Sequence, residues 1–173
     1  MDQARLLSDE VKPDKPALVL AARQSSGRGR QGRRWISPAE GFFCTYVFKS
    51  AQGYNASGFT LAVSCAVRQA LLDFGCESAF KWPNDILSSD GRKLCGILVE
   101  SFSAGAGRVV LCGIGLNLAG EPAEITGSVS VQTLTGRSLS PLTLAEKLGV
   151  RLFAVWKEFM KEGFLPFRDV WLE

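Results

Sequence analysis

The segment SSGRGRQGRRW, residues 25–35, combines three glycines with four arginines. Glycine lets backbone N–H groups approach a ligand and lets a loop adopt positive φ. Arginine presents a planar fork of donors that matches phosphate or carboxylate oxygens. The segment has no Gly-Lys-Ser/Thr ending of a P-loop, and no helical pattern begins there, as the dinucleotide fingerprint requires. By itself it fits a loop around an anionic ligand, a nucleic-acid-binding arm or a solvated basic loop.

A second segment with chemical potential is KWPNDIL, residues 81–87. Proline breaks helices, so Lys81 and Asp85 cannot form an ordinary helical ion pair across Trp82 and Pro83. The spacing favours a rigid turn that presents a cation, an amide and a carboxylate. The alternative is a structured turn around a buried aromatic side chain.

Glycines interrupt two strongly β-favouring segments, KLCGILVES (93–101) and RVVLCGIGLNL (108–118). A glycine inside a strand often marks the close approach of a ligand or of another backbone. If the two strands pair as a hairpin, Gly96 lies near Gly113 and Gly115. The glycines would then leave room for something flat against the sheet, the alternative being a tight bend or a bulge.

Composition excludes several classes of function. The net charge is only +3, and without the four arginines of the first segment the remainder is close to neutral, which disfavours a nucleic-acid-binding protein. The 173 residues include no histidine, which excludes Ser-His-Asp and Cys-His catalysis within this chain. The five cysteines form no CxxC pair, so a structural zinc site is not expected and the thiols are interpreted as reduced core residues.

The chain shows no membrane or export signal. No apolar run reaches the roughly 18–20 residues of a membrane helix. The first residues, MDQARLLSDEVKPDKP, have no apolar core of a signal peptide. The sequence therefore predicts a cytoplasmic protein with no membrane segment.

The order of elements predicts the fold class. Apolar and β-favouring runs predict strands at 17–22, 41–50, 79–83, 93–101 and 108–118, with a short strand at 128–134. Helical spacing predicts helices at 57–75 and 140–163, the second capped by Ser140 with Pro141 in its first turn. Consecutive strands dominate, so we expect an α+β domain with a mixed, largely antiparallel sheet and helices on one side.

The order GRGRQGRRW, KWPNDIL, RKLCGILVE and GIGLNL closely resembles the catalytic domain of biotin protein ligases, over about residues 2–165. The resemblance implies an α/β fold related to class II aminoacyl-tRNA synthetases. It implies an ATP- and Mg²⁺-dependent enzyme that joins biotin to ATP, giving biotinoyl-5′-AMP and pyrophosphate. The biotinoyl group then passes to one lysine of a biotin carboxyl carrier protein, the expected partner.

The same resemblance implies site residues. Lys93, Arg28, Arg30 and Asp85 are expected to serve catalysis, and Asp85 is also a candidate to position Mg²⁺ or the incoming lysine. The expected contacts with biotin or the adenylate are Gln24, Gly27, Arg28, Gly29, Arg30, Arg33, Trp35, Asn84, Lys93, Gly96, Leu98, Gly113 and Asn117. Trp35 resembles an aromatic residue that flanks the adenine after loop closure.

Three departures from the family pattern qualify these expectations. The chain begins just after the Ser-Thr-X motif that contacts biotin in the family. It also carries neither a winged helix-turn-helix, which disfavours a repressor, nor a C-terminal β-barrel. Residues 1–173 are thus interpreted as a single catalytic domain. A truncated paralogue that binds without turnover and a lipoate- or octanoate-type ligase are the alternatives, and monomer and homodimer both stay open.

Overall fold

The computed structural model describes residues 1–38, 40–50, 55–105, 107–120 and 126–172. Six strands form its sheet: β1 (Ala17–Ala21), β2 (Glu40–Ser50), β3 (Ser78–Lys81), β4 (Asp85–Ser88), β5 (Lys93–Ala104) and β6 (Gly107–Ala119). Five α-helices are described: α1 (Asp2–Leu6), α2 (Phe59–Asp73), α3 (Val131–Thr135), α4 (Pro141–Glu162) and α5 (Arg168–Leu172). Single 3₁₀ turns lie at Arg30–Gly32 and Leu165–Phe167.

The sheet has the strand order β1-β2-β6-β5-β4-β3, and each neighbouring pair in it is antiparallel. The long strands β5 and β6 form the predicted hairpin, with Ala104 opposite Gly107 at its end. Antiparallel neighbours need only short connections, and every consecutive pair of strands is adjacent except β2 and β3, which α2 connects. The prediction of a largely antiparallel sheet is confirmed.

One face of the sheet packs against α2 and α4 to form the main core. Alternate residues of β2 and β6 point toward these helices, among them Tyr46, Phe48 and Cys112. Trp156 of α4 stacks on Phe48 with ring centroids 4.9 Å apart, and the hydroxyl of Tyr46 donates to the carbonyl oxygen of Ala145 at 2.7 Å. The predicted placement of the two long helices on one side is confirmed.

The opposite face carries a smaller apolar cluster beneath α1. Val47, Val109 and Leu111 of the sheet are buried there against Ala4 and Val11. The guanidinium of Arg5 lies 4.6 Å from the ring centroid of Phe102 and pairs with Glu100 at 3.2 Å, which holds α1 on β5. The glycine-bearing ends of β5 and β6 lie on this same face, because side chains alternate along a strand.

Most predicted elements are present, and one is wrong. The strand predicted at 128–134 is helix α3, preceded by a single bridge between Ser128 and Lys93. The Ser130 hydroxyl accepts from the backbone N–H of Thr133, and Gly136 ends the helix with φ of +66°. These two caps favour a helical turn over the alternation of SVSV. Neither α1 nor β4 was predicted as a separate element.

Among the helices that the structure describes, none combines the length and the apolar character of a membrane span.

Candidate functional site

Residues 27–35 form a short hairpin, called the Gly/Arg hairpin below. The N–H of Trp35 donates to the Gly27 carbonyl at 2.9 Å, and the N–H of Gly29 donates to the Arg33 carbonyl at 2.7 Å. Its tip needs the left-handed region at Gln31 (φ +56°) and Gly32 (φ +73°). The segment is therefore a folded loop that carries its arginines at the edge of a pocket.

The indole of Trp35 lies flat on two glycines, Gly96 of β5 and Gly115 of β6. These two glycines are direct partners in the sheet and are called the glycine floor below. A Cβ at Gly96 would lie 2.7 Å from Cζ3 of Trp35, and one at Gly115 would lie 2.7 Å from its Cε2. Real Cβ atoms do not approach so closely, so side chains at the floor would displace the indole. The flat group that the glycines were predicted to accommodate is, in this structure, Trp35 itself.

Lys93 and Asp85 form an ion pair at the edge of the glycine floor. The Nζ of Lys93 lies 2.7 Å from Oδ2 of Asp85, with side-chain exposures of 35% and 18%. Asp85 lies directly opposite Gly96 in the β4–β5 register, and the Lys93 ammonium lies 5.3 Å from the centre of the Trp35 ring. Oδ1 of Asp85 is buried with no hydrogen-bond partner among the described residues. One carboxylate oxygen therefore remains as an unused acceptor.

Backbone contacts fix the start of β5 and hence Lys93. Its N–H donates to the Gly127 carbonyl at 2.8 Å, and its carbonyl accepts from the N–H of Val129 at 3.0 Å. The side-chain amide of Asn117 donates to the carbonyls of Lys93 and Val129, both at 3.3 Å. Asn117 is only 2% exposed, and its Oδ1 has no partner among the described residues. Asn117 thus fixes the backbone of Lys93 from outside the pocket.

One pocket brings most of the predicted residues together. The predicted site residues that line it are Gln24, Arg28, Gly29, Arg30, Arg33, Trp35, Asn84, Asp85, Lys93, Gly96, Leu98 and Gly113. Two predicted residues do not line it. Gly27 is buried at the base of the hairpin, where a Cβ would lie 2.5 Å from the Trp35 carbonyl oxygen, and Asn117 lies behind Lys93.

Several residues that line the same pocket were not predicted as site residues: Met1, Asp2, Ser26, Arg34, Cys44, Thr45, Ile97 and Ile114. Gly115 also lines it and was predicted only to leave room beside the sheet. Arg34 could have been predicted because it belongs to the same Gly/Arg segment. Thr45 could have been predicted only from the β2–β6 register, in which it lies opposite Gly113. No sequence pattern predicts that Met1 lines the pocket. Its Sδ lies 3.2 Å from the position that a Cβ at Gly113 would occupy. Asp2 pairs with Arg28 at 2.7 Å, which places a carboxylate where an anionic ligand would compete.

The pocket is built for an anion rather than for thiol chemistry. Four arginines and Lys93 line it, and guanidinium groups suit carboxylate and phosphate oxygens. Cys44 also lines the pocket, but burial raises the pKa of its thiol well above the ordinary value. A thiol with a raised pKa stays protonated and is a poor nucleophile.

Asp85 alone does not make a metal site. Its carboxylate already faces the Lys93 ammonium, which opposes a second cation. The part of the chain that the structure describes contains no group of three or more acidic, cysteine or histidine side chains able to hold a metal ion. These residues therefore do not fit a resident Mg²⁺ ion, and the prediction that Asp85 positions one gains no support from its geometry.

Fold and site together define a domain with a pocket, lined by arginines and Lys93, on one face of an antiparallel sheet. The model of the biotin/lipoate A/B protein ligase family matches residues 3–117. The chain belongs to this family.

Named relatives and solved structures agree with this assignment. The chain is 39% identical over 168 residues to the biotin–[acetyl-CoA-carboxylase] ligase of Paracoccus denitrificans, covering 90% of this chain and 69% of that one. It is 33% identical over 160 residues to the bifunctional ligase/repressor BirA of Escherichia coli, covering 88% of this chain and 49% of that protein. The biotin protein ligase of Leishmania major in complex with biotinyl-5-AMP superposes with a TM-score of 0.78 at 27% identity, over 98% of this chain and 76% of that one.

A second solved structure is the biotin protein ligase of Aquifex aeolicus in complex with biotin and ATP. It matches with a TM-score of 0.74 at 27% identity, covering 89% of this chain and 66% of that one. The chain thus spans about half to three quarters of the length of these relatives.

Proposed function

We propose that residues 1–173 act as a single biotin protein ligase catalytic domain in the cytoplasm. The domain would join biotin to ATP, giving biotinoyl-5′-AMP and pyrophosphate, and then transfer the biotinoyl group to a lysine of a biotin carboxyl carrier protein. One observation carries the proposal: the Gly/Arg hairpin, the Lys93–Asp85 pair and the glycine floor all line one pocket. Relatives named as biotin ligases support it.

The first step needs positioning and charge neutralisation more than a base. Biotin's carboxylate is already ionised near neutral pH. A carboxylate oxygen attacks the α-phosphorus of ATP, and pyrophosphate leaves with the electrons of the broken P–O bond. Lys93 and Arg28 both line the pocket and would bind the two anions that must approach each other, and Arg30 and Arg33 would add charge at the hairpin. No histidine is required, which agrees with a chain that has none.

Magnesium, in this proposal, arrives with the phosphates of ATP rather than as a resident ion. Mg²⁺ is often held by one or two carboxylates together with substrate phosphates, and it would neutralise phosphate charge there.

The remaining predicted residues are assigned to ligand contacts. Gly96, Leu98 and Gly113 would shape the biotin pocket, since Gly113 lies opposite Leu98 in the β5–β6 register. Gln24 and Gly29 would contact biotin or the adenylate from the hairpin, whereas Gly27, which is buried and does not line the pocket, would shape the hairpin base instead. Trp35 would flank the adenine, with Asn84 beside it, while Asn117 would act through the backbone of Lys93. The Asn84 amide donates to the Ile97 carbonyl at 3.1 Å, which leaves its Oδ1 for the ligand.

The second step attaches the biotinoyl group to the carrier. The neutral amine of the acceptor lysine attacks the carbonyl carbon of the mixed anhydride, AMP leaves, and the extra proton passes to solvent. Oδ1 of Asp85, which is buried with no partner among the described residues, would accept a hydrogen bond from that amine once the amine reaches it and would thereby orient it. The hairpin would meanwhile protect the anhydride from water.

Self-association as a homodimer could use either edge strand, β1 or β3.

Biotin-dependent exchange of labelled pyrophosphate into ATP tests the proposal, with lipoate as the control acid. Exchange with biotin and none with lipoate is expected. Exchange with lipoate instead would identify a different acyl-adenylating enzyme. Biotin binding without exchange would identify a binding protein and would refute the catalytic assignment.

A further inference from the structure

A hydrogen bond joins the two arms of the chain that enter and leave the Gly/Arg hairpin. The hydroxyl of Ser37 donates to Oε1 of Gln24 at 2.9 Å. Gln24 lies three residues before Gly27, and Ser37 lies two residues after Trp35. The bond therefore closes the neck of the hairpin, just outside the Trp35-to-Gly27 backbone bond.

Packing at Gly27 holds the same carboxamide in place. A Cβ at Gly27 would lie 3.0 Å from Oε1 of Gln24 and 2.5 Å from the carbonyl oxygen of Trp35. Only a residue without a side chain lets both groups approach the hairpin base so closely. The Gln24 oxygen thus has a fixed neighbour on each side, Ser37 and the Gly27 backbone.

We propose that Ser37 is a positioning residue that orients Gln24 toward the ligand. A carboxamide has one oxygen acceptor and two N–H donors. Since the Ser37 hydroxyl occupies the oxygen, the NH₂ group of Gln24 is presented to the pocket that Gln24 lines. The group that it selects is an acceptor, a carbonyl or carboxylate oxygen of the acid. This inference rests on the proposed function for the identity of that acid.

The position of Ser37 also couples the orientation of Gln24 to the state of the hairpin. Ser37 follows Trp35, whose indole lies on the glycine floor. Separation of the two arms would break the bond to Gln24, and the carboxamide would then lose its fixed orientation.

Steady-state exchange kinetics of the 173-residue chain measure the effect. Loss of one neutral hydrogen bond corresponds to roughly 3- to 10-fold in binding. Ser37→Ala should raise KM for biotin by that factor and leave kcat and KM for ATP within about twofold. Ser37→Thr keeps the hydroxyl and should restore KM. Ser25→Ala, at an exposed serine of the same segment outside the pocket lining, is the control and should match the unsubstituted chain.

A double-mutant cycle separates positioning from general damage to the loop. With Gln24→Ala in place, Ser37→Ala should have no further effect on KM for biotin, because nothing remains to be oriented. An equal effect of Ser37→Ala in both backgrounds would overturn the proposal, and so would an equal rise in KM for ATP.

A measurement without turnover keeps this inference separate from the proposed function. Side-chain amide relaxation by NMR reports the order of the Gln24 carboxamide. We expect it to be ordered in the unsubstituted chain and in Ser37→Thr. In Ser37→Ala it should become as mobile as the exposed Gln69 carboxamide of α2. Unchanged order in Ser37→Ala would refute the positioning role, whereas absent exchange in the unsubstituted chain would refute only the ligase activity.

Discussion

Gly115→Ala tests whether the indole of Trp35 lies on the glycine floor. The added Cβ would lie 2.7 Å from Cε2 and 2.8 Å from Cζ2 of Trp35, whereas ordinary van der Waals contact begins at 3.4 Å. Gly115 does not have positive φ, so alanine fits the backbone and the clash falls on the indole. Overpacking of this kind costs about 1–3 kcal/mol. The hairpin can relieve it by lifting, so open hairpins should become roughly 5- to 150-fold more populated.

Trypsin cleavage within the Gly/Arg hairpin measures that population, because cleavage of a transiently open segment follows its opening equilibrium. Gly113→Ala is the matched control on the same strand. Its Cβ would meet the flexible Met1 side chain at 3.2 Å and the Leu98 carbonyl oxygen at 3.5 Å, contacts that need only small shifts. We expect Gly115→Ala to be cleaved at least fivefold faster than Gly113→Ala. Equal rates for the two variants would show that Trp35 does not lie on the floor.

Three further results are expected. Lys93→Ala should lower biotin-dependent exchange by at least about 100-fold, because it removes the ammonium beside both anions, while the circular dichroism spectrum stays unchanged; near-normal exchange would remove Lys93 from its role. Burial raises the pKa of Cys112 to about 12 from 9.0, so the folded chain retains a thiol proton that the unfolded chain releases. The free energy of unfolding, measured by urea titration, should therefore not depend on this thiol below pH 9. Between pH 9 and 12 the thiol should make the free energy of unfolding fall by about 1.4 kcal/mol per pH unit. Cys112→Val should make that fall shallower, and an identical slope in the variant would contradict the prediction. Biotin with ATP should slow trypsin cleavage at residues 28–34, and equal cleavage with and without the ligands would exclude closure of the hairpin over them.

Local pattern predicted most of the sheet and both long helices. Alternation along β2 and β6 and the stripe along α4 reflect burial on one side of each element, which is visible in sequence. The prediction of a strand at 128–134 was wrong because the alternation of apolar and polar residues there competes with two helix caps, at Ser130 and Gly136. Helix α1 has only five residues, too few to be stable without the tertiary contacts that Arg5 makes with Glu100 and Phe102.

In the candidate site, too, the local sequence predicted some features and not others. The residue types that gather around an anion were readable from GRGRQGRRW and from Lys93. The sequence also predicted that glycines on β5 and β6 accommodate a flat group. It did not predict that this group is Trp35. This contact joins residues some 60 and 80 positions apart, and it depends on the register of β5 with β6 and on the path of the hairpin. The Ser37–Gln24 bond was missed for the same reason, since it needs the closed neck of the hairpin.

Retention of label from ATP shows whether this pocket forms biotinoyl-5′-AMP. The chain is incubated with biotin and ATP labelled at the α-phosphate, separated from free nucleotide, and the bound nucleotide is identified. We expect labelled biotinoyl-5′-AMP bound to the unsubstituted chain, absent without biotin and absent from Lys93→Ala. Label retained only as ATP, or biotinoyl-5′-AMP formed equally well by Lys93→Ala, would contradict the claim that this pocket forms the adenylate.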